Sequence, residues 1–90
     1  MHPIPERLAP GVMVSSRRHE PRYRMAEVLF SDRSWRPCTL VAWARCRAGW
    51  AALVRWPDGS DGWYVYSARH VRPAADRWLA GGRSRPGALR

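Results

Sequence analysis

Hydrophobic and polar positions alternate along the middle of the chain with the two-residue period of β-strands. The longest alternating run covers residues 38–46. One parity of this run is wholly apolar and is predicted to face the core: Cys38, Leu40, Ala42, Ala44 and Cys46. The other parity is mixed, which is typical of a strand with one buried and one wetter face. A second alternating run, residues 50–56, follows after a tight connection and predicts a neighbouring strand.

Three shorter segments complete the β pattern. Residues 25–30 precede a turn at 31–34, residues 63–66 follow the Pro57-Asp58-Gly59 turn signal, and residues 71–73 end at a proline. Residues 67–70 predict a single helical turn. Because helical periodicity of any length is absent, we expect an all-β fold. Five short strands with tight turns favour a small barrel, since closure removes exposed strand edges.

The chain divides into four predicted parts. Residues 1–23 form an irregular basic N-terminal arm, and residues 24–73 form the barrel. Residues 74–80 suit a short helix, and residues 81–90 have the composition of a disordered basic tail. A domain of this size buries only about 60% of its unfolded surface. Large side chains therefore matter, and the six tryptophans of the chain predict a tryptophan-rich core.

The charge of the chain is strongly positive, with 16 basic residues against seven acids and a formal net charge of +9. Every basic residue is arginine, which is typical of a bacterial protein from a GC-rich genome. Genome composition explains the choice of arginine over lysine, but it does not explain the net charge. The excess of positive charge favours a polyanionic partner.

A resemblance to a known family appears in the hairpin sequence Val54-Arg55-Trp56-Pro57-Asp58-Gly59, followed by Gly62-Trp63-Tyr64 and Val71-Arg72-Pro73. This pattern resembles an SH3-like small β-barrel of the Tudor type over about 50 of the 90 residues. Tudor relatives often hold methylated lysine or arginine in an aromatic cage, because ring faces attract cations. The resemblance implies cage or stacking candidates with Asp58 or Asp61 as the charge partner: Trp35, Trp56, Trp63, Tyr64 and Tyr66. The alternative is that these rings are core.

Two functional interpretations follow. The first is a non-catalytic domain that binds nucleic acid, DNA or RNA, because guanidinium groups suit phosphates and aromatic rings suit unpaired bases. The predicted contacts are Arg17, Arg18, Arg22, Arg24, Arg36, Arg55, Arg69 and Arg72. The second is a protein-interaction module or adaptor that uses exposed aromatics. Fold alone does not choose between them.

Catalysis has no support in the pattern, and we predict neither an enzyme nor a small-molecule substrate. The three histidines stand apart from any nucleophile motif. On one strand Cys38 and Cys46 would lie about 26 Å apart, too far to share a disulfide or a zinc ion. We therefore expect no metal and no cofactor. No run reaches the roughly 18 apolar residues of a membrane span, so we expect a cytoplasmic protein without a membrane partner.

Overall fold

The computed structural model describes residues 1–9, 11–12 and 14–74, and it shows an all-β domain. The five strands are β1 (Met25–Leu29), β2 (Trp35–Cys46), β3 (Gly49–Arg55), β4 (Asp61–Val65) and β5 (Val71–Pro73). They form one antiparallel sheet in the order β4-β3-β2-β1-β5. The prediction of five strands is confirmed. The five strands form an open sheet, with β4 and β5 at its two edges.

The turns follow the predicted chemistry. Gly59 has φ 92° in the connection from β3 to β4, a conformation that a side chain would disfavour. The carbonyl of Ser67 accepts hydrogen bonds from the amides of His70 and Val71 at 3.0 and 2.9 Å, which makes the single turn expected before β5. The candidate helix beyond Ala74 and the basic tail lie outside the described residues.

A β-bulge in β2 overturns one prediction. Leu40 pairs with Val54 of β3, whereas Ala42 pairs with Leu53, so the register shifts at Val41. One extra residue in a strand moves every later side chain to the opposite face. Ala42 and Ala44 of the predicted apolar parity are buried as expected, but from the bulge onward this parity lies on the opposite face of the sheet from Leu40.

The faces of β2 exchange at this bulge. Cys38 and Leu40 lie on the core face, and beyond the bulge Trp43 takes that face. Ala44 and Cys46 then lie on the opposite face of the sheet, so the two cysteines do not share a face as predicted. Both cysteines are free.

The centre of the core is aliphatic. Its buried residues are Ala26, Val28, Cys38, Leu40, Ala52, Val54, Tyr64 and Val71. Trp43 and Trp56 are half-buried and pack against its margin, together with Phe30, Tyr23 and Tyr66. All five tryptophans among the described residues are half-buried. The predicted tryptophan-rich core is therefore a small aliphatic centre with an aromatic margin, because five short strands enclose too little volume for several indoles.

The N-terminal arm is tied to the sheet, although it contains no long strand. Along the free edge of β4, the amide of Leu8 donates to the carbonyl of Trp63 at 2.8 Å. The amide of Val65 donates to the carbonyl of Glu6 at the same distance. An edge strand offers unpaired backbone groups, and the arm satisfies them here. The described part of the arm is therefore irregular but held against the sheet.

The same arm also borders the second half of β2. The amide of Ser15 donates to the carbonyl of Arg45 at 2.9 Å. His19 and Trp43 exchange two backbone hydrogen bonds, of 2.7 and 2.9 Å. The arm therefore covers backbone that β1 leaves unpaired, because β1 pairs only with the first half of β2.

One ion pair reaches into the interior. Glu27 of β1 is fully buried, and its Oε1 accepts from Nε of Arg72 at 2.8 Å. The two residues are cross-strand partners in β1 and β5. The guanidinium of Arg72 also lies 3.8 Å from the centroid of the Trp35 ring. This cluster joins the short edge strand β5 to the rest of the sheet.

We expect Arg72→Ala to lower the free energy of unfolding by about 3 kcal/mol, because it leaves a buried carboxylate without its charge partner. Arg24→Ala is the matched control, since Arg24 pairs with the exposed Glu20 and such surface pairs contribute less than about 1 kcal/mol. Chemical denaturation of both variants measures the difference. Equal stabilities for the two would contradict the structural role of the Glu27 pair.

Burial raises the pKa of the Cys38 thiol to about 12, so this group stays protonated and unreactive near pH 8. Cys46 is only half-buried on the other face. We expect iodoacetamide at pH 8 to label Cys46 first in the folded protein and to reach Cys38 only on unfolding. Peptide mass spectrometry measures both sites, and early labelling of Cys38 would contradict its burial in the core.

Candidate functional sites at the two ends of the sheet

The sheet has two chemically different ends. The turn between β2 and β3 lies at one end, beside residues 15–18 of the arm. Because the strands are antiparallel, the β1–β2 and β3–β4 turns lie together at the other end. We call the first end the arginine end, defined by Arg17, Arg18, Arg45 and Arg47. We call the depression at the second end the acidic groove, lined by Phe30, Asp32, Ser34, Trp35, Arg36, Pro37, Trp56, Pro57 and Asp58.

Backbone pairing assembles the arginine end from two distant segments. The hydrogen bond from Ser15 to Arg45 and the bridge between Val14 and Cys46 hold the arm against the end of β2. Arg17 and Arg18 of the arm thereby come to the end that carries Arg45 and Arg47. All four arginines are exposed, and within the described part of the chain none of them makes an ion pair.

Two of these arginines lie over tryptophan rings. The guanidinium of Arg45 is 4.8 Å from the centroid of Trp50, and that of Arg18 is 5.6 Å from the centroid of Trp63. The ring of His19 meets Trp50 edge-on, with centroids 5.2 Å apart. A cation stacked on a ring keeps its N–H groups at the rim, where they can reach an anion. A flat ring is therefore combined with positive charge on each face of the sheet, Trp50 with Arg45 on one face and Trp63 with Arg18 on the other.

Two carboxylates belong to the neighbourhood of the arginine end. Glu6 lines a shallow depression together with Arg47. Glu20 follows His19 and is engaged by Arg24, at 2.9 Å between Nη2 and Oε1. Four arginines against these two acids leave this end positive, which suits a polyanion.

The structure divides the eight predicted arginines into two groups. Four of them make ion pairs with acids: Arg24 with Glu20, Arg36 with Asp32, Arg55 with Asp61, and Arg72 with Glu27. The other four make none among the described residues: Arg17, Arg18, Arg22 and Arg69. The acids partly neutralise the four paired arginines, so the four arginines without an ion pair are better placed to bind phosphate.

The predicted site omits Arg45, Arg47 and Trp50. These residues lie about 30 positions away from Arg17 and Arg18 in the sequence. Only the hydrogen bond between the arm and β2 brings the two segments together. The basic character of the β2–β3 turn was a visible signal, but nothing in it pointed to the arm.

The acidic groove has aromatic walls and a volume of about 580 Å³. The rings of Trp56 and Phe30 pack edge to face, with centroids 5.6 Å apart and an interplanar angle of 76°. Its Nε1 donates to the hydroxyl of Tyr64 at 3.3 Å, which orients the indole. The groove is therefore lined by rings whose positions the core determines.

Both carboxylates of the groove are held by the turn that carries them. Asp58 Oδ1 accepts from the backbone amide and the hydroxyl of Ser60, at 2.9 and 2.7 Å. Asp32 receives the same two bonds from Ser34. The side-chain hydrogen bond from each serine, followed by its backbone bond, lowers the pKa of each aspartate. Both groups are therefore ionised at neutral pH.

Two arginines of the chain itself already lie over aromatic rings of the groove. The guanidinium of Arg36 lies 4.5 Å from the centroid of Phe30 and 3.3 Å from the carboxylate of Asp32. Arg72 covers Trp35 in the same way. Asp58 makes no ion pair with any described residue, so the part of the groove beside Trp56 retains an available negative charge.

The five predicted cage rings do not form one cage. Trp35 and Trp56 line the groove, whereas Trp63 lies under Arg18. Tyr64 is in the core at 7% exposure, and Tyr66 packs on Trp43 with ring centroids 4.9 Å apart. Of the predicted charge partners, Asp58 lines the groove and Asp61 pairs with Arg55. Phe30 and Asp32 complete the groove and were not predicted, because only the packing of two separate turns brings them to Trp56.

Within residues 1–9, 11–12 and 14–74, no three histidine, cysteine or acidic side chains are grouped so that they could hold a metal ion. The same residues include no helix long and apolar enough to cross a membrane. Comparisons of the chain with protein-family models, with curated proteins and with solved structures found no match. Function must therefore be argued from the geometry of the two ends.

Proposed function

We propose that this chain is a small non-catalytic binding domain that binds nucleic acid through its arginine end. The observation that carries the proposal is the backbone pairing of the arm with the end of β2, which brings the segment of Arg17 and Arg18 beside that of Arg45 and Arg47. All four arginines are exposed and make no ion pair with a described acid. Guanidinium groups donate paired hydrogen bonds to phosphate oxygens and stay charged at any physiological pH. Their convergence on one end suits a polyanion.

The distribution of acids supports this orientation. Asp32, Asp58 and Asp61 all lie in or beside the turns of the opposite end. A polyanion is repelled from that end and attracted to the arginine end, so the field of the domain orients the encounter. Four phosphate contacts predict a slope of log K against log salt between about −2.8 and −3.6.

We further propose an SH3-like barrel of the Tudor type as the architecture. The strand order β4-β3-β2-β1-β5, with consecutive strands joined by tight turns, supports this proposal. The N-terminal arm adds hydrogen bonds to the outer edge of β4 and to the end of β1, where the amide of Ile4 donates to the carbonyl of Leu29 at 2.9 Å. The arm therefore bonds both to the free edge of β4 and to β1 beyond the residues that pair with β5.

The double variant Arg17→Glu/Arg47→Glu is expected to weaken binding to labelled oligonucleotides at least about tenfold and to flatten the salt slope by about two, because two phosphate contacts are lost. Neither side chain stacks on a ring, so the fold should be retained. Fluorescence anisotropy over a salt series measures both quantities, and thermal melting checks the fold.

The control is Arg33→Glu/Arg55→Glu, which changes the net charge equally at exposed positions away from the arginine end; Arg55 is already paired with Asp61. We expect a smaller loss and an unchanged slope for this control. If both double variants lose affinity equally, net charge alone accounts for binding and the arginine end is not the contact.

A second candidate function is supported by the acidic groove. We propose that the groove binds an arginine-bearing peptide, with the guanidinium against Trp56 and Asp58, as the Tudor resemblance also suggests. The support is that Arg36 and Arg72 already cover Phe30 and Trp35 in this way. Ring faces and an ionised carboxylate together favour a cation.

Asp58→Asn is expected to abolish most binding of an arginine-rich peptide, whereas Asp61→Asn, whose carboxylate is already paired with Arg55, should have little effect. Because the pKa of Asp58 is lowered, binding should persist as pH falls towards 5 and be lost only below the usual range of a carboxyl group. Isothermal titration between pH 7 and pH 3 measures this. Equal losses for the two variants would point to general charge attraction.

A further inference from the structure

We propose that the nucleic acid recognised at the arginine end is single-stranded, and that an unpaired base stacks on Trp50. This inference rests on the proposed function and names its substrate class. It follows from the placement of the Trp50 ring beneath Arg45, at the end of β2 that the arm borders.

The ring of Trp50 is held in a defined position. Trp50 is half-buried near the start of β3 and is the cross-strand partner of Arg45 in β2. His19 packs edge-on against it with an interplanar angle of 84°, and the amide of Tyr66 donates to the carbonyl of Trp50 at 2.8 Å. A ring fixed in this way loses little freedom when a flat ligand stacks on it.

The group that now covers Trp50 can move. Arg45 is exposed, lies 4.8 Å from the ring centroid and makes no ion pair with a described acid. Its guanidinium can shift onto a phosphate, or cover the far side of a base that has entered beneath it, without leaving a buried charge unpaired. The ring and the guanidinium together match a nucleotide, which carries a flat base next to a phosphate.

A single strand can place the face of an unpaired base on the Trp50 ring, whereas a duplex cannot. In a duplex, each base face is covered by its neighbours and only base edges and phosphates are accessible. An unpaired base offers its face, and stacking on a ring tolerates every base. Trp35 is also covered by an arginine, Arg72, but lies in the acidic groove at the opposite end of the sheet. Trp35 is therefore the matched control.

The experiment is fluorescence anisotropy of the full chain with a labelled oligothymidine and a matched duplex, each about 12 nucleotides long, which covers the usual site sizes. We expect the wild type to bind the single strand more tightly than the duplex. Trp50→Leu should weaken single-strand binding about 5- to 100-fold. The same variant should change duplex binding less than about twofold, and Trp35→Leu should change neither, since the phosphate contacts remain.

Trp50→Phe keeps a smaller ring and should recover part of the single-strand affinity, which a merely structural role for Trp50 would not require. Equal wild-type affinity for single strand and duplex, or equal defects in Trp50→Leu and Trp50→Phe, would overturn the single-strand inference and leave the proposed function standing. Absence of binding to either probe near physiological salt would overturn both.

Discussion

The β-bulge at Val41 is the constraint on which the arrangement of this domain depends. Before it, β2 presents Cys38 and Leu40 to the core, and after it the same strand presents Trp43. A strand of 12 residues can therefore pair with β1 in its first half and with the N-terminal arm in its second half. The alanines that the bulge turns to the other face have small side chains, so a neighbouring segment can pack closely there. Without the shift, Trp43 would lie on the face opposite to the core.

The functional surfaces are consequences of this pairing. The arm that borders β2 carries Arg17 and Arg18 to the β2–β3 turn, while the acids remain in the turns at the other end. Salt screens charges that are farther apart than a Debye length, so each end of the sheet attracts ligands of opposite charge independently of the other end. The arginine end favours phosphate, and the acidic groove favours a cation. The Glu27–Arg72 pair stabilises the short strand β5, and its arginine covers Trp35 of the acidic groove.

Much of the fold was predictable because it depends on local chemistry. Alternation located the strands, and Pro57, Asp58 and Gly59 located the β3–β4 turn, since they favour a tight turn whatever surrounds them. The acidic groove was partly predictable, because Trp56 and Asp58 belong to that same turn. Its partners Phe30 and Asp32 were not, because they come from a turn that meets Trp56 only after β1 and β3 have both packed on β2.

The sequence by itself determined the all-β class, the positions of the five strands and the excess of arginine, because alternation, turn residues and charge are properties of neighbouring residues. Only the tertiary structure decided which face each residue of β2 takes, where the tryptophans lie, and which arginines are paired with acids. These depend on register and on contacts between distant segments, and a shift of one residue at Val41 changes them without altering the local pattern.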